Sequence, residues 1–196
     1  EGYDQFHTCV NTGNGISISK EWLEQFHGCP FTVGLDIFPL DYLPRDEKER
    51  ALQEQLFAMA GRIAQLAKNI GRGDYDAEDE KSKVLRKEVE EEIRDGIAYL
   101  EDNCKLQINH QLLEEGQWNK LSSELWKWAN YIAMMYSEEE ADYLVEYLDY
   151  IQLKHKVYPK EWFEGGYSAL FENFMLPIPS GYHNILCYSY ANYTYF

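Results

Sequence analysis

Apolar positions repeat with two different periods along the chain. Between residues 46 and 100 they recur at three- and four-residue steps: Leu52, Leu56, Met59, Ile63, Leu66 and Ile70, then Val84, Val89, Ile93, Ile97 and Leu100. That spacing puts one apolar stripe on each of two amphipathic helices. Pro44 and Asp46 open the first, with Glu47, Glu49, Arg50, Glu54 and Arg62 on its water-facing side, and Gly71-Arg72-Gly73 stops it. An acidic loop, residues 74–79, leads to the second helix, expected from about residue 80 to 100 and weakened slightly by Gly96. A short helix is expected within 105–118, ended near Gly116. Ser122 or Ser123 then caps a helix carrying Leu125, Trp128, Ala129, Ile132 and Met135.

Elsewhere the runs are shorter and read as extended chain. Residues 6–10 suit a strand, Asn11-Thr12-Gly13-Asn14-Gly15 is a strong turn signal, and residues 16–18 suit a second extended piece. Ser19 has the properties of an N-cap, with Trp22, Leu23 and Phe26 on a short helix that Gly28 ends. Pro30 and Pro39 bracket an apolar run, residues 31–38, that reads as a buried strand. Ser137-Glu138-Glu139-Glu140 has the capping-box pattern, which predicts a helix through Leu153, whereas the alternation Tyr143, Val145, Tyr147 argues for an edge strand. Pro159 ends that segment in either case. One helical turn is expected over 160–164, an extended stretch over 171–179 in which Pro177 and Pro179 cannot donate, and a last helix over 180–192.

The pattern predicts one α+β domain over 1–196, a short mixed sheet with a large helical portion. Residues 1–45 are strand-rich, 46–155 mainly helical, and 156–196 hold the carboxy-terminal motifs. Composition narrows the choice of partners. Asp and Glu number 34 against 18 Lys and Arg, a net charge of −16, which argues against nucleic acid or an anionic membrane as a broad docking surface. With 16 Tyr and 5 Trp, the chain favours an aromatic-rich core or cleft over disorder. The cysteines at 9, 29, 104 and 187 form no CxxC and are expected to be reduced and buried. No apolar run is long enough to span a bilayer, and no signal-peptide pattern is present.

Asp36 is the residue most in need of an explanation, a carboxylate between Leu35 and Ile37 inside an apolar run. An unpaired buried charge is costly, so it caps a turn, neutralises a basic partner or binds a metal at a strand end. The stretch Leu35-Asp36-Ile37-Phe38-Pro39-Leu40-Asp41 resembles the signature of the LicD family of phosphocholine transferases, which is similar to nucleotidyltransferases. Two later stretches resemble the same family in order and spacing. One is Tyr158-Pro159-Lys160-Glu161-Trp162-Phe163; the other is Phe171-Glu172, Leu176-Pro177-Ile178-Pro179, Gly181-Tyr182 and Leu186.

The resemblance implies a nucleotidyltransferase-like fold with Asp36 as a catalytic carboxylate on a divalent metal, usually magnesium. It implies transfer of phosphocholine, or a related alcohol phosphate, from a CDP-choline-like donor to a cell-surface glycan or teichoic-acid precursor. The expected location is cytoplasmic, at the inner face of the membrane. Asp41 either caps the following turn or supports the site from behind. Arg45 or Lys160 meets a donor phosphate or stays a solvated charge. Tyr158, Trp162 and Tyr182 either wall a cleft for a quaternary ammonium or serve as packing. The five histidines show no metal spacing, and His7, on the strand nearest Asp36, is the best placed of them for function.

Two departures from the family pattern stand out. The chain has Tyr190-Ala191-Asn192-Tyr193 where the family closes with Tyr-Gly-Asp-Tyr, and it lacks the family's Asp-x-Asp pair behind a glycine turn. Asp74-Tyr75-Asp76 has the letters but sits in an acidic loop after the Asp36 strand, without an apolar flank. One carboxylate holds hydrated magnesium weakly. The chain is therefore expected to be the carboxy-terminal portion of a longer enzyme, completed by an N-terminal segment or chain and inactive alone. The alternative is a non-catalytic acidic domain that binds a partner or saccharide on the same scaffold.

Overall fold

A computed structural model of the chain describes residues 8–11, 34–76, 79–104, 106–171 and 173–190. The fold is mixed α+β and mostly helical. The extended piece at 16–18, the short helix near Trp22, the start of the 31–38 strand, Cys29 and His7 lie outside the described residues.

Strands β1 (Thr8–Asn11) and β2 (Gly34–Ile37) pair antiparallel, with Cys9 opposite Asp36. After Phe38-Pro39-Leu40 the chain enters β3 (Asp41–Pro44) and then helix α1 (Glu47–Arg72). Asp46 caps α1 by accepting from the backbone N–H of Lys48 and Glu49, and Gly73, at φ 83°, closes it in the left-handed region that glycine favours. Helix α2 (Glu80–Cys104) runs one turn beyond its expected end. A four-residue helix α3 (Gln111–Glu114) precedes α4 (Trp118–Ala133).

Helices α1, α2 and α4 form the core. Leu56, Ile63, Ile93, Ile97, Leu100, Leu121, Leu125 and Ile132 are all essentially inaccessible to solvent. Gly96 has a packing role beyond its weak helix propensity: a Cβ there would come within 2.6 Å of the Ile63 side chain, so the glycine lets α2 approach α1 closely. Two positions differ from the stripe read in the sequence. Leu52 and Val84 are exposed, and the polar Gln53 is buried instead. Gln53 Nε2 donates to the carbonyls of Ile132 and Ala133, at 2.9 and 3.1 Å, and so ties α1 to the last turn of α4, where Ile132 also accepts from the Met135 N–H. Ser122 and Ser123 are not N-caps. They lie inside α4, whose first turn starts four residues earlier at Trp118, and Met135 falls beyond its end. Cys187 is exposed rather than buried, and Cys104 is partly buried.

The segment after Ser137 contains both structures that its sequence left open. The capping box is present but closes only one 3₁₀ turn, Glu138–Glu140. The alternating residues then form β4 (Ala141–Val145), and the chain turns helical again as α5 (Tyr147–Leu153). β4 is not an edge strand; it lies between β3 and β5 (Val157–Pro159) in an antiparallel sheet, with Asp41 opposite Val145 and Leu144 opposite Tyr158. After a 3₁₀ turn at Lys160–Trp162 comes a hairpin, β6 (Gly166–Phe171) and β7 (Phe174–Pro179), and then α6 (Tyr182–Tyr190). The sequence reading placed extended chain only over the second half of this hairpin.

Candidate functional site

The link from α5 to β5 is the most constrained stretch of backbone near the sheet. Lys154 and Lys156 both have positive φ, 52° and 58°, an uncommon conformation for residues with a side chain. Each is held by its side chain. Lys154 Nζ pairs with Glu54 at 2.5 Å and lies over the Tyr150 ring. Lys156 Nζ lies 2.6 Å from Glu146 and 2.5 Å from Asp149, and 5.2 Å from the centroid of Phe38. Partial burial alone would lower the pKa of the Lys156 ammonium, but hydrogen bonds to Asp149 and Glu146, and their charges, outweigh it and push the pKa up. Such strain persists only where the surroundings over-determine it, and here ion pairs on both sides do so.

Next to this link is a cavity of about 700 Å³. Phe38 and Leu40, the two residues flanking Pro39, form one side. Glu146, His155 and Lys156 form a second, and Tyr158 with Phe163 a third. Ile185, Tyr188, Ser189 and Tyr190 close it from α6. Residues of the stretches 35–41 and 158–163, far apart in sequence, thus meet around one space that residues of α6 close, of a size that suits a small ligand. Ile37, the last residue of β2, precedes Phe38, so the backbone carries Asp36 to within two residues of the cavity wall.

The expected site residues fall partly on this cavity, partly behind it and partly away from it. Tyr158 lines it, but its ring is 7% exposed and packs against Trp162, Phe163 and Tyr188 at centroid distances of 6.5, 5.9 and 5.4 Å. Trp162 stands behind it against Tyr188. Gly181 donates its N–H to the Trp162 carbonyl at 2.8 Å, and a Cβ on Gly181 would come within 2.6 Å of Trp162 Cα. Tyr182, at the start of α6, is exposed and does not line the cavity. Of the three aromatics expected to form a cage, only Tyr158 reaches the space. Tyr188, which the sequence reading did not single out, faces it from α6, and the i, i+3 spacing from Ile185 is the signal that could have found it.

Arg45 is a surface ion-pair partner. Its guanidinium makes a two-point contact with Asp142, at 2.8 and 2.7 Å, and its backbone N–H donates to the Glu140 carbonyl. Lys160 Nζ donates to the Glu138 carbonyl. Asp41 caps no turn. It begins β3 as a largely buried carboxyl, and burial pushes its pKa up to about 6. Among the described residues the buried Tyr147 hydroxyl has no hydrogen-bond partner, and burial above all, then the charge of Glu54 and to a lesser extent that of Asp41, raises the pKa of that phenol.

The one described carboxylate on the cavity wall, Glu146, does not hold a hydrated magnesium ion by itself, and its neighbours are committed elsewhere. Glu146 and Asp149 are engaged by Lys156, Asp142 is engaged by Arg45, and Asp41 is buried. Among the described residues no group of three or more His, Cys, Asp and Glu is placed to hold a metal. Nor, among them, is any helix long and apolar enough to cross a membrane.

Compared with known proteins, the chain matches no family model, no curated protein and no solved structure.

Proposed function

We propose that this chain is the carboxy-terminal, donor-binding portion of a LicD-like transferase with a nucleotidyltransferase-like fold. The complete enzyme moves phosphocholine, or a related alcohol phosphate, from a CDP-activated donor to a cell-surface glycan or teichoic-acid precursor. The observation that carries this reading is the meeting of two of the motif stretches, 35–41 and 158–163, around one cavity that α6 closes. Phe38 and Leu40 of the first stretch line the same space as Tyr158 and Phe163 of the second, more than a hundred residues later in the chain.

In this reading Tyr188 and Phe38 give the organic end of the donor apolar walls. Tyr158 and Trp162 hold Tyr188 and the start of α6 in place. Glu146 and Asp149, with Lys156 between them, leave a local charge of −1, which favours a cationic group on the ligand over an anionic one at that side of the cavity. Arg45, committed to Asp142, is not a donor contact. Magnesium, when bound, supplies polarisation of the phosphate. In this reading Asp36 would hold it, together with carboxylates supplied by a preceding segment of the enzyme. Replacing Asp36 with Asn in the full-length protein abolishes transfer and leaves its circular dichroism unchanged; retained transfer would refute the assignment.

A further inference from the structure

The β6–β7 hairpin is a two-stranded ribbon outside the core. Tyr167, Leu170, Phe171, Phe174 and Met175 are each 60% or more exposed, and among the described residues the ribbon is largely uncovered. A lone two-stranded hairpin is marginally stable in water, and an open edge invites another strand.

The two edges are not equivalent. In the register of the hairpin Pro177 faces Ser168 and Pro179 faces Gly166. Proline has no N–H to donate, so it fits a ladder where the backbone groups of its strand point away from the partner strand. That parity turns Met175, Pro177 and Pro179 outward on β7, and Gly166, Ser168 and Leu170 outward on β6. The β7 edge is therefore blunted by prolines, while the β6 edge keeps its donors.

We propose that β6 pairs antiparallel with β6 of a second copy of this chain, across a twofold axis at Ser168, giving a four-stranded sheet. A twofold contact requires that residue i face j while j faces i. With the axis at Ser168, Leu170 faces Gly166 of the second copy and Tyr167 faces Ala169, so a large side chain meets a small one in each pair. The two serines face each other on the axis. No charged residue occurs in β6, so two chains of net charge −16 can approach here without opposing like charges in the strand. The same net charge disfavours an anionic lipid surface, and a membrane would leave the β6 edge unpaired.

The test is sedimentation velocity on the 196-residue chain across a concentration series, alongside a Ser168→Cys variant under mild oxidation. The chain sediments as a dimer at the upper concentrations, and Ser168→Lys, which sets two like charges on the axis, shifts it to monomer with unchanged circular dichroism. The Cα atoms of a narrow antiparallel pair are ~5.5 Å apart, within disulfide reach, so Ser168→Cys gives a covalent dimer that the parent chain does not. A parent chain that stays monomeric throughout would overturn the proposal. So would a folded Ser168→Lys dimer, or a Ser168→Cys variant that cross-links no more than the parent. If Ser168→Lys does not fold, the cross-linking result decides.

Discussion

The helical core and the cavity are built from the same kinds of residue but solve different problems. In the core, Leu56, Ile63, Ile93 and Leu125 are fully enclosed, and a glycine lets two helices meet. Around the cavity, aromatic rings of similar size stand half open: Phe38 is 44% and Tyr188 49% exposed. What fixes that region is ion pairing, with Lys154 and Lys156 clamped onto three carboxylates in a strained turn. A region held by apolar burial should lose stability when trimmed. One held by ion pairs around an open space should lose geometry and binding first.

The sharpest way to break this contrast is to trim the core. Ile63→Ala removes a fully buried side chain at the α1–α2 contact and should cost about 2–5 kcal/mol in chemical denaturation. Tyr188→Ala, at a half-exposed ring, should cost much less in the same experiment.

Asp41 tests the border between the two regions, and its sign is unusual for a carboxylate. Its folded pKa, about 6, lies above the unfolded value of 3.8, so between those values the native state holds more of the proton. Stability from this group is full below pH ~4, falls as pH rises toward ~6, and stays lowered above that. Asp41→Asn should therefore stabilise the protein at pH 7 by at most about 3 kcal/mol and have no advantage near pH 4. Urea melts of both proteins across that window give the difference directly, because other carboxylates cancel in it. A parallel pair of curves would contradict the assigned burial.

Lys156 gives a smaller effect. Lys156→Met strands the nearly buried Glu146, but the lysine end is partly open to water, so the cost should be about 1–2 kcal/mol rather than that of a fully buried pair. Adding Glu146→Gln should recover much of it, as thermal melts of the double variant would show.

The sequence carried the core well because amphipathic helices repeat their apolar positions regularly, and Asp46 and Gly73 punctuate α1 with side-chain and backbone chemistry of their own. Local signals misled where tertiary contacts decide. Gln53 looks like a surface residue until the end of α4 arrives with carbonyls to satisfy. The capping box at Ser137 is real, yet pairing of β4 with both β3 and β5 outweighs continued helix. The cavity was half legible. Its motif stretches could be read as segments, but Glu146 and Lys156 become partners only because α5 folds back between β4 and β5. Tyr188 joins them only when Gly181 seats α6 against Trp162.

The central claim is that two motif stretches, 35–41 and 158–163, form one donor-binding cavity with α6. Its most direct test is a titration of the chain with cytidine diphosphate choline, followed by tryptophan fluorescence, since Trp162 lies 6.3 Å from the Tyr188 ring. The account predicts a saturable change in the parent chain that Tyr188→Ala loses while keeping its helical circular dichroism. No saturable change in the parent chain, or binding that survives Tyr188→Ala intact, would contradict it.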